Sequence, residues 1–352
     1  MRQGRGDRRR IGWGVAWTFA LSVIPVLLAG CGGAASARTS ALTPIPSVAL
    51  PTPLAGYHVY VTDLSTGDVA LLGAYTQQVA RSVHGLGLAA DGRTLLVTDV
   101  ANDRLLAFTP GASALSGERA ADVGTQPVHV AATPDGRRLF VTDFGGQDVS
   151  VVDAATWSTV KQIAVPDRPH AIVLSPDGRY AYVSCYGGDA IAVLDTANAT
   201  LAATIHFAFA AAPYGIALSA DGRYLYASDN LNGRLLVVDT RSRSLVATVG
   251  IGQKPALIAR SPDGATLYVA NGLSHNVSVL DLARDPAHPA LLRNVPVDGY
   301  PHGIAVTPDG RYVVVANTVS RNLSVIDAAT NLVVATITSP ALLYPNDVLI
   351  TR

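Results

Sequence analysis

Glutamate, lysine and cysteine are rare in this chain of 352 amino acids. Glu118 is its one glutamate, and Lys161 and Lys254 are its two lysines. Because most aspartates stand in turns or at strand ends, the sequence offers no surplus carboxylate pair for general acid and base catalysis. Its two cysteines, Cys31 and Cys185, form no Cys-x-x-Cys-His motif, which excludes covalent haem attachment of that type.

An excess of basic residues is missing as well. The whole chain balances 26 Lys and Arg against 26 Asp and Glu. Without the first 31 residues, which hold five Arg and one Asp, 21 basic and 25 acidic residues remain. A slightly acidic domain lacks the basic surface that nucleic acid requires, so we expect no nucleic-acid partner.

Helix signals are also absent, and one unit recurs in their place. The dipeptide Asp-Gly marks each copy, at spacings of 44, 42, 44, 42 and 46 residues. Its aspartates are Asp91, Asp135, Asp177, Asp221, Asp263 and Asp309. This period indicates a repeat protein, and Asp-Gly between two apolar runs indicates a hairpin turn.

Each copy divides into four short strands. A proline, or Val83 in the first copy, opens the unit eight residues before the Asp of the turn and so fixes the register of the hairpin. A second apolar run follows the turn, then an alternating run such as 277–281, then a fourth run such as 333–337. Four antiparallel strands per unit predict the blade of an all-β β-propeller.

The two ends of the repeat predict seven blades. Six complete units run from Val83 to Thr338, residues 59–72 align with a third and a fourth strand, and residues 345–350 align with a first strand. The two partial pieces predict a seventh blade in which the C-terminal strand pairs with the N-terminal hairpin, so that no sheet edge stays open. The second strand of this mixed blade is unassigned: either residues 45–50 supply it or the blade has three strands.

The N-terminus has the pattern of an export signal. Arg2, Arg5 and 8–10 form a basic region, 11–28 form an apolar region, and Leu28-Ala29-Gly30-Cys31 resembles a bacterial lipobox. That resemblance implies a lipoprotein signal peptide at residues 1–30 and a diacylglycerol on Cys31. An uncleaved transmembrane anchor is the alternative, and Sec and twin-arginine export are both open.

Either anchor places the rest of the chain on the extracytoplasmic side of a membrane. Residues 31–56 begin with the lipidated Cys31 and are rich in Ala, Ser, Thr and Pro. Such a composition cannot bury a core, which predicts a flexible tether. Residues 57–352 form the predicted propeller.

Short motifs within the repeats resemble those of a known family. Tyr268-Val-Ala-Asn271, Val141-Thr142-Asp143 and Tyr182-Val-Ser-Cys185 are similar to the motif for which the YVTN family of bacterial and archaeal β-propellers is named. The resemblance covers residues 57–351 and implies the propeller fold far more strongly than a function. Similar propellers occur as extracellular interaction proteins, as lactonases and as parts of redox enzymes.

The mouth of the central channel is the predicted binding site, because the start of strand one and the end of strand two meet there. A hairpin symmetric about Asp-Gly places the residue after the leading proline opposite the last residue of strand two. The pairs are His84/Asp99, Val128/Asp143, His170/Cys185, Tyr214/Asp229, Ala256/Asn271 and His302/Asn317, with Asn346 in the seventh blade and His129 one place further along its strand.

Two interpretations of this ring are open. In the structural one, Asp and Asn cap the loops after strand two, and the histidines bond to backbone groups between blades. In the functional one, the histidines converge on the mouth with Cys185 as a soft ligand, which suits copper or zinc, and Asp99 orients His84. The width of a ring built from separate blades argues against the second interpretation.

Since no residue requires catalytic chemistry, the sequence favours a non-catalytic binding or scaffold module. We expect a membrane-tethered monomer without a cofactor that binds a protein or a glycan at the mouth. The alternative is an enzyme or metalloprotein, either a lactonase-like hydrolase or a redox protein with copper or zinc at the mouth. Gluconolactonase-type propellers hold a divalent cation through a glutamate, and Glu118 is the one residue that could take that role.

Overall fold

The protein's structure is a computed structural model that describes residues 51–352 and the backbone of the short strand Leu42–Thr43. The predicted signal peptide, Cys31 and most of the tether lie outside the described residues. Regular structure in the described part consists of β-strands and one short 3-10 helix, Thr52–Leu54. No helix of this part has the length and hydropathy needed to span a bilayer.

The strands form seven antiparallel sheets, six of four strands and one of five. In chain order they are β1 (Leu42–Thr43), β2 (His58–Asp63), β3 (Asp68–Leu71), β4 (Tyr75–Gln78), β5 (Val83–Leu88), β6 (Leu95–Asp99), β7 (Arg104–Pro110), β8 (Leu115–Asp122), β9 (Pro127–Ala132), β10 (Arg138–Asp143), β11 (Asp148–Asp153), β12 (Ser158–Ala164), β13 (Pro169–Leu174), β14 (Tyr180–Cys185), β15 (Ala190–Asp195), β16 (Thr200–His206), β17 (Pro213–Leu218), β18 (Tyr224–Asp229), β19 (Arg234–Asp239), β20 (Ser244–Gly250), β21 (Pro255–Arg260), β22 (Thr266–Asn271), β23 (Asn276–Asp281), β24 (Ala290–Pro296), β25 (Pro301–Val306), β26 (Tyr312–Asn317), β27 (Asn322–Asp327), β28 (Leu332–Thr338) and β29 (Pro345–Thr351).

Each sheet is one blade of a seven-bladed β-propeller, as the repeat predicts. From the inner to the outer strand, blade one is β29, β2, β3, β4 and β1, and blades two to seven take four consecutive strands each, from β5–β8 to β25–β28. The inner strands β5, β9, β13, β17, β21, β25 and β29 contact one another in sequence, and β29 contacts β5. The inner strands therefore form a closed ring around a central channel.

Asp-Gly turns build the hairpins between the first two strands of each complete blade. Asp91 Oδ1 accepts the backbone N–H groups of Arg93 and Thr94, each at 2.8 Å. Gly92 takes a positive φ of 65°, which costs glycine little. The aspartate thus closes the turn and the glycine lets the chain reverse.

Blade one closes the propeller by combining both ends of the chain. β29 pairs antiparallel with β2, and Val59 lies opposite Ile350, so the predicted closure by the C-terminal strand is confirmed. The predicted order within this blade is wrong, because β2 is its second strand and β3 and β4 are its third and fourth. Strands two and three both end in aspartate after an apolar run, which explains the misassignment. No strand is missing, and β1 pairs outside β4.

Apolar side chains pack between neighbouring blades. Val61 and Val348 of blade one, for example, pack with Val314 and Val325 of blade seven, and all four are at most 5% exposed. The sheets are therefore covered on both faces, which explains why strands two and three are nearly continuous apolar runs.

A hydroxyl group also joins most neighbouring blades near the channel. Thr98 accepts the N–H of Gly85 at 2.9 Å and donates to the carbonyl oxygen of Val128, in the next blade, at 3.0 Å. The equivalent hydroxyls are those of Thr62, Thr142, Ser184 and Ser228. These hydrogen bonds hold adjacent inner strands together at the level of the residues that face the channel.

Candidate functional site at the channel mouth

An irregularity near the start of each inner strand decides which residues reach the channel. Val83, and not His84, lies opposite Asp99, and Pro169, and not His170, lies opposite Cys185. The register then shifts, so that His84 and His170 have no partner in strand two. The predicted facing pairs are therefore wrong by one residue, because a β-bulge breaks the symmetry of the hairpin about Asp-Gly.

Four histidines converge in the channel. The ring centroids of His84, His129 and His170 lie 4.9 to 5.5 Å apart, and that of His302 lies 6.0 Å from His84. His84, His170 and His302 are at most 9% exposed. The convergence that the functional interpretation predicts does occur, and the width of the ring does not keep the rings apart.

Hydrogen bonds to the backbone orient two of the rings. The Nδ1–H of His129 donates to the carbonyl oxygen of His170 at 3.2 Å, and the Nδ1–H of His302 donates to that of Asn346 at 3.0 Å. A carbonyl oxygen only accepts, so in the neutral rings Nε2 is the acceptor. The hydroxyl of Tyr214 donates to His302 Nε2 at 3.0 Å. This is the bonding between blades that the structural interpretation predicts.

Burial keeps the imidazoles neutral. Desolvation lowers the pKa of His129 from 6.5 to about 4. Desolvation, together with the neighbouring histidines, lowers the pKa of His84 and His170 well below 6.5. Burial also lowers the pKa of His302. At neutral pH the cluster is therefore uncharged, and each ring carries one nitrogen lone pair that can accept a proton.

Three ring nitrogens of the cluster are buried without a hydrogen-bond partner, namely His84 Nδ1, His129 Nε2 and His170 Nδ1. Such atoms cost free energy, so their presence calls for a functional explanation. Among the residues that the structure describes, no group of three or more His, Cys, Asp or Glu side chains is placed to hold a metal ion. Copper or zinc at the mouth remains a prediction.

Aromatic side chains cover the cluster. The ring of Tyr214 packs against that of His170, with centroids 3.6 Å apart and an angle of 31° between the ring planes. Phe144, directly after β10, lies 6.1 Å from His170, and Tyr186, directly after β14, lies 5.5 Å from Tyr214. Tyr214 was expected at the mouth, whereas Phe144 and Tyr186 were not, because both stand just beyond the last residue of strand two.

The residues just before the inner strands add to this rim. They include Arg168, Lys254, Tyr300 and Tyr344. Burial raises the pKa of Tyr214, and the phenol groups of Tyr300 and Tyr344 lie near enough to raise it further. The Lys254 ammonium donates to the Asn230 side chain at 3.4 Å. The rim therefore offers aromatic faces together with two basic side chains.

Asp347 is a channel residue that the sequence did not reveal. It follows Asn346, whose side-chain amide donates to the carbonyl oxygen of His84 at 3.2 Å. The Asp347 carboxyl accepts the N–H groups of Leu86 and Val348, each at 2.9 Å. Burial nevertheless raises its pKa to about 6. The available signal was an aspartate at the position that holds glycine in three other inner strands.

Cys185 and the strand-end aspartates do not join the histidines. Cys185 is fully buried among apolar side chains, and burial raises the pKa of its thiol to about 12. Asp99 bonds to Asn102 and to Arg104, and not to His84. Asp229 and Asn317 also bond to the loop and strand that follow them. Glu118 lies exposed on β8, Leu115–Asp122, an outer strand.

The chain belongs to the lactonase family of seven-bladed β-propellers. The model of this family matches residues 61–245 and 111–348, which together span nearly the whole propeller. The expectation of a β-propeller repeat protein is thereby confirmed, although the matching family is the lactonase family and not one named for the YVTN motif.

Solved structures share the fold at low sequence identity. They include a putative 6-phosphogluconolactonase from Bacteroides fragilis, with a TM-score of 0.71, 17% identity and coverage of 86% of this chain and 100% of that chain. The periplasmic gluconolactonase of Pseudomonas aeruginosa has a TM-score of 0.70 and 22% identity, with coverage of 84% of this chain and 99% of that chain. Kuenenia stuttgartiensis hydrazine synthase has a TM-score of 0.65 and 22% identity, with coverage of 77% of this chain and 95% of that chain. No curated protein matches the chain.

The prediction of a non-catalytic binding or scaffold module is wrong. Membership of a lactonase family points to a hydrolase instead, and two of the similar structures are described as lactonases. The sequence offers no surplus carboxylate pair for acid and base catalysis, and the expected width of the ring argued against convergence of the histidines. The structure brings them together, and their backbone bonds leave three ring nitrogens unused.

Proposed function

We propose that the protein is an extracytoplasmic lactone hydrolase whose substrate binds at the mouth of the channel. Its family supports the reaction class. The observation that carries the site is the cluster of buried, neutral histidines, in which His84, His129 and His170 each keep a ring nitrogen without a partner. A neutral imidazole with a free lone pair can act as a general base in hydrolysis.

The reaction needs one base that later acts as an acid. A ring nitrogen takes a proton from water while the water oxygen bonds to the lactone carbonyl carbon. The tetrahedral intermediate then collapses, the ring C–O bond breaks, and the imidazolium returns its proton to the leaving alkoxide oxygen. The product is the open hydroxy acid, and neither an oxidant nor a cofactor enters the balance.

Tyr214 would control access to the base. Its ring stacks on His170 at 3.6 Å, and its hydroxyl bonds to His302. Because Tyr214 packs against His170 and the Nδ1 of that ring is buried, we expect water to reach this nitrogen when the tyrosine moves. Substrate binding against the aromatic rim would supply that displacement, as closing and opening elements do in many enzymes.

The rim supports a cyclic, polar substrate. Phe144, Tyr186 and Tyr300 offer faces against which a ring can pack, while Arg168 and Lys254 suit a hydroxyl-rich or anionic substituent. Sugar lactones combine these features. The gluconolactonase and the putative 6-phosphogluconolactonase that share the fold make such lactones the first substrates to test.

The proposed location is outside the cytoplasm. It rests on the signal-like sequence of residues 1–30 and on the periplasmic location of a gluconolactonase with the same fold. Lipid attachment at Cys31 and the tether 31–56 remain part of the proposal.

The test is hydrolysis of a panel of lactones, corrected for the spontaneous rate, by the wild type and by His170→Asn and His84→Asn variants. We expect wild-type activity on at least one sugar lactone and a loss of at least about tenfold in kcat for each variant. His206→Asn, at an exposed position on an outer strand, serves as the matched control. Full activity in both cluster variants would disprove the assignment of the site.

A further inference from the structure

In each of the seven blades, the last residue of strand two faces the first residue of strand three. One of these seven pairs differs from the others in its charge and hydrogen bonding. Two blades have ion pairs, Asp99–Arg104 at 3.1 Å and Asp229–Arg234 at 2.9 Å. Two have amide pairs, Asn271–Asn276 at 2.8 Å and Asn317–Asn322 at 2.9 Å. Blade four has Cys185 and Ala190, which carry no charge. In blade three, Asp143 faces Asp148.

Among residues 51–352 no basic side chain pairs with these two aspartates, although Ser150 lies beside Asp143 and favours its ionised form. Asp143 is 0% exposed, and both of its carboxyl oxygens lack a hydrogen-bond partner, as does Asp148 Oδ1. Gly124 lies directly against both carboxyls, since a Cβ there would sit 2.6 Å from Asp143 Cγ and 2.7 Å from Asp148 Oδ1. The fully buried Asp143 cannot stay ionised beside a second carboxylate without a large cost in free energy.

Blade one shows how a second aspartate pair is compensated. Asp63 faces Asp68 there. The carboxyl of Asp63 accepts N–H groups from Ser65 at 3.0 Å, from Thr66 at 3.2 Å and from Tyr344. Asp143 lacks the three N–H donors that Asp63 has, although it occupies the same position in its blade; its neighbouring donor is Ser150, whose effect on the pKa is smaller than that of burial.

The surroundings of Asp143 supply no other charge. The loop before β9 places Gly124 against it, the loop after β10 contributes Gly145 and Gly146, and β11 contributes Asp148 and Ser150. The nearby Asp103 and Asp167 accept hydrogen bonds from Gln126 and Gln147. No ion pair of residues 51–352 includes Asp143 or Asp148.

The amide pairs show what this position requires. In blades six and seven, Nδ2 of the first asparagine donates to Oδ1 of the second and to a serine hydroxyl, that of Ser278 or Ser324. Blade three repeats the set with Asp143, Asp148 and Ser150. A protonated carboxyl has nearly the shape of a carboxamide and can donate one hydrogen bond as the amide does.

We propose that Asp143 carries a proton at neutral pH and donates it to the carboxylate of Asp148, and that this shared proton holds the end of β10 and the loop carrying Phe144 in place at the mouth. Burial raises the pKa of Asp143, and the facing Asp148 raises it further. Phe144 packs near His170, so loss of the proton would loosen one wall of the mouth. The pair therefore makes the stability of this loop depend on pH, independently of the reaction catalysed at the mouth.

Thermal unfolding of the wild type and of Asp143→Asn between about pH 6 and pH 9 tests whether the aspartate pair makes stability depend on pH. The folded state binds the shared proton more tightly than the unfolded state does, so wild-type stability must fall as pH rises through this range. Asp143→Asn replaces the proton by an amide and removes this slope. Its Tm at the alkaline end should exceed that of the wild type by at least about 3 °C. The control Asp99→Asn should keep the wild-type slope, since it alters only the pair with Arg104.

Limited proteolysis, with cleavage sites mapped by mass spectrometry, tests the link to the loop. At each pH we compare the rate of cleavage within 144–147 in the wild type with the rate in Asp143→Asn. The ratio of the two rates should rise with pH, and the pH dependence of the protease itself cancels in this ratio. Equal pH slopes for the two proteins, or an unchanged cleavage ratio, would overturn the proposal. So would a rise in wild-type Tm on addition of calcium that is absent in the variant, because a bound cation would then replace the proton.

Discussion

The four channel histidines are neutral because burial removes the hydration of their charged forms. His129 has a folded pKa of about 4, below the 6.5 of an exposed imidazole. Between these values the unfolded state binds more protons, so stability falls as pH is lowered through this window and is fully present above it. At about 1.4 kcal/mol per pKa unit, His129 alone accounts for a loss on the order of 3 kcal/mol.

We therefore expect chemical denaturation at about pH 4.5 to show a lower free energy of unfolding than at pH 7. His129→Asn should remove part of this loss, because asparagine can still donate to the carbonyl oxygen of His170 but does not titrate. An identical pH dependence in the variant would show that His129 is not buried as a neutral base. His206→Asn should leave the dependence unchanged, since His206 is exposed.

Single residues of the mouth were predictable only in part. The recurrence of His after the first residue of the inner strand, Val83, Pro169 or Pro301, identified His84, His170 and His302, and these rings do meet. Their supposed partners Asp99 and Cys185 did not follow, because a bulge of the inner strand moves the pairing by one residue. Such a bulge carries no residue signature that distinguishes it from a regular hairpin start.

Between strands, the hydroxyl at the next-to-last position of strand two links one blade to the next. Thr98 accepts from Gly85 and donates to Val128. Thr98→Val keeps the shape of the side chain and leaves both backbone groups without this partner, so we expect a loss of about 1–3 kcal/mol in the free energy of unfolding. Denaturant titration measures it.

The control for Thr98→Val is Thr200→Val, at an exposed position on the outer strand β16, where the change should stay within about 0.5 kcal/mol. Equal effects of the two substitutions would mean that the link between blades contributes nothing specific. Blades six and seven carry Ala270 and Ala316 at this position. A missing hydroxyl at a single interface is therefore compatible with the fold.

Closure of the ring involves the whole molecule. Deleting residues 345–352 removes β29, exposes the edge of β2 and takes away Asn346 and Asp347 from the channel. We expect aggregation or loss of cooperative unfolding, measured by size-exclusion chromatography and circular dichroism, because an open sheet edge and an unpaired blade result. Removing only Arg352, an exposed terminal residue, should leave both measurements unchanged. A monomeric, cooperatively folded deletion protein would contradict the role of closure.

The architecture of the whole molecule was predictable because the Asp-Gly period repeats along the chain and each copy has the same four runs. The assignment of residues 59–72 was wrong, since one apolar run ending in aspartate looks like another when its neighbours in the blade come from the far end of the chain. A lactonase-like hydrolase was only the alternative that the family resemblance offered; the family match supports it, but the residues themselves did not select it. A propeller motif fixes the strands, whereas the chemistry depends on which side chains the seven inner strands bring together.

The pH dependence of kcat/KM for a sugar lactone tests most directly whether the channel mouth is an active site. We predict hydrolysis above the spontaneous rate that persists below pH 6.5, because the cluster histidines stay neutral there. We also predict that His170→Asn abolishes it and His206→Asn does not. Absence of turnover across the lactone panel, or an acid limb set by an ordinary exposed histidine, would contradict hydrolysis by the buried cluster.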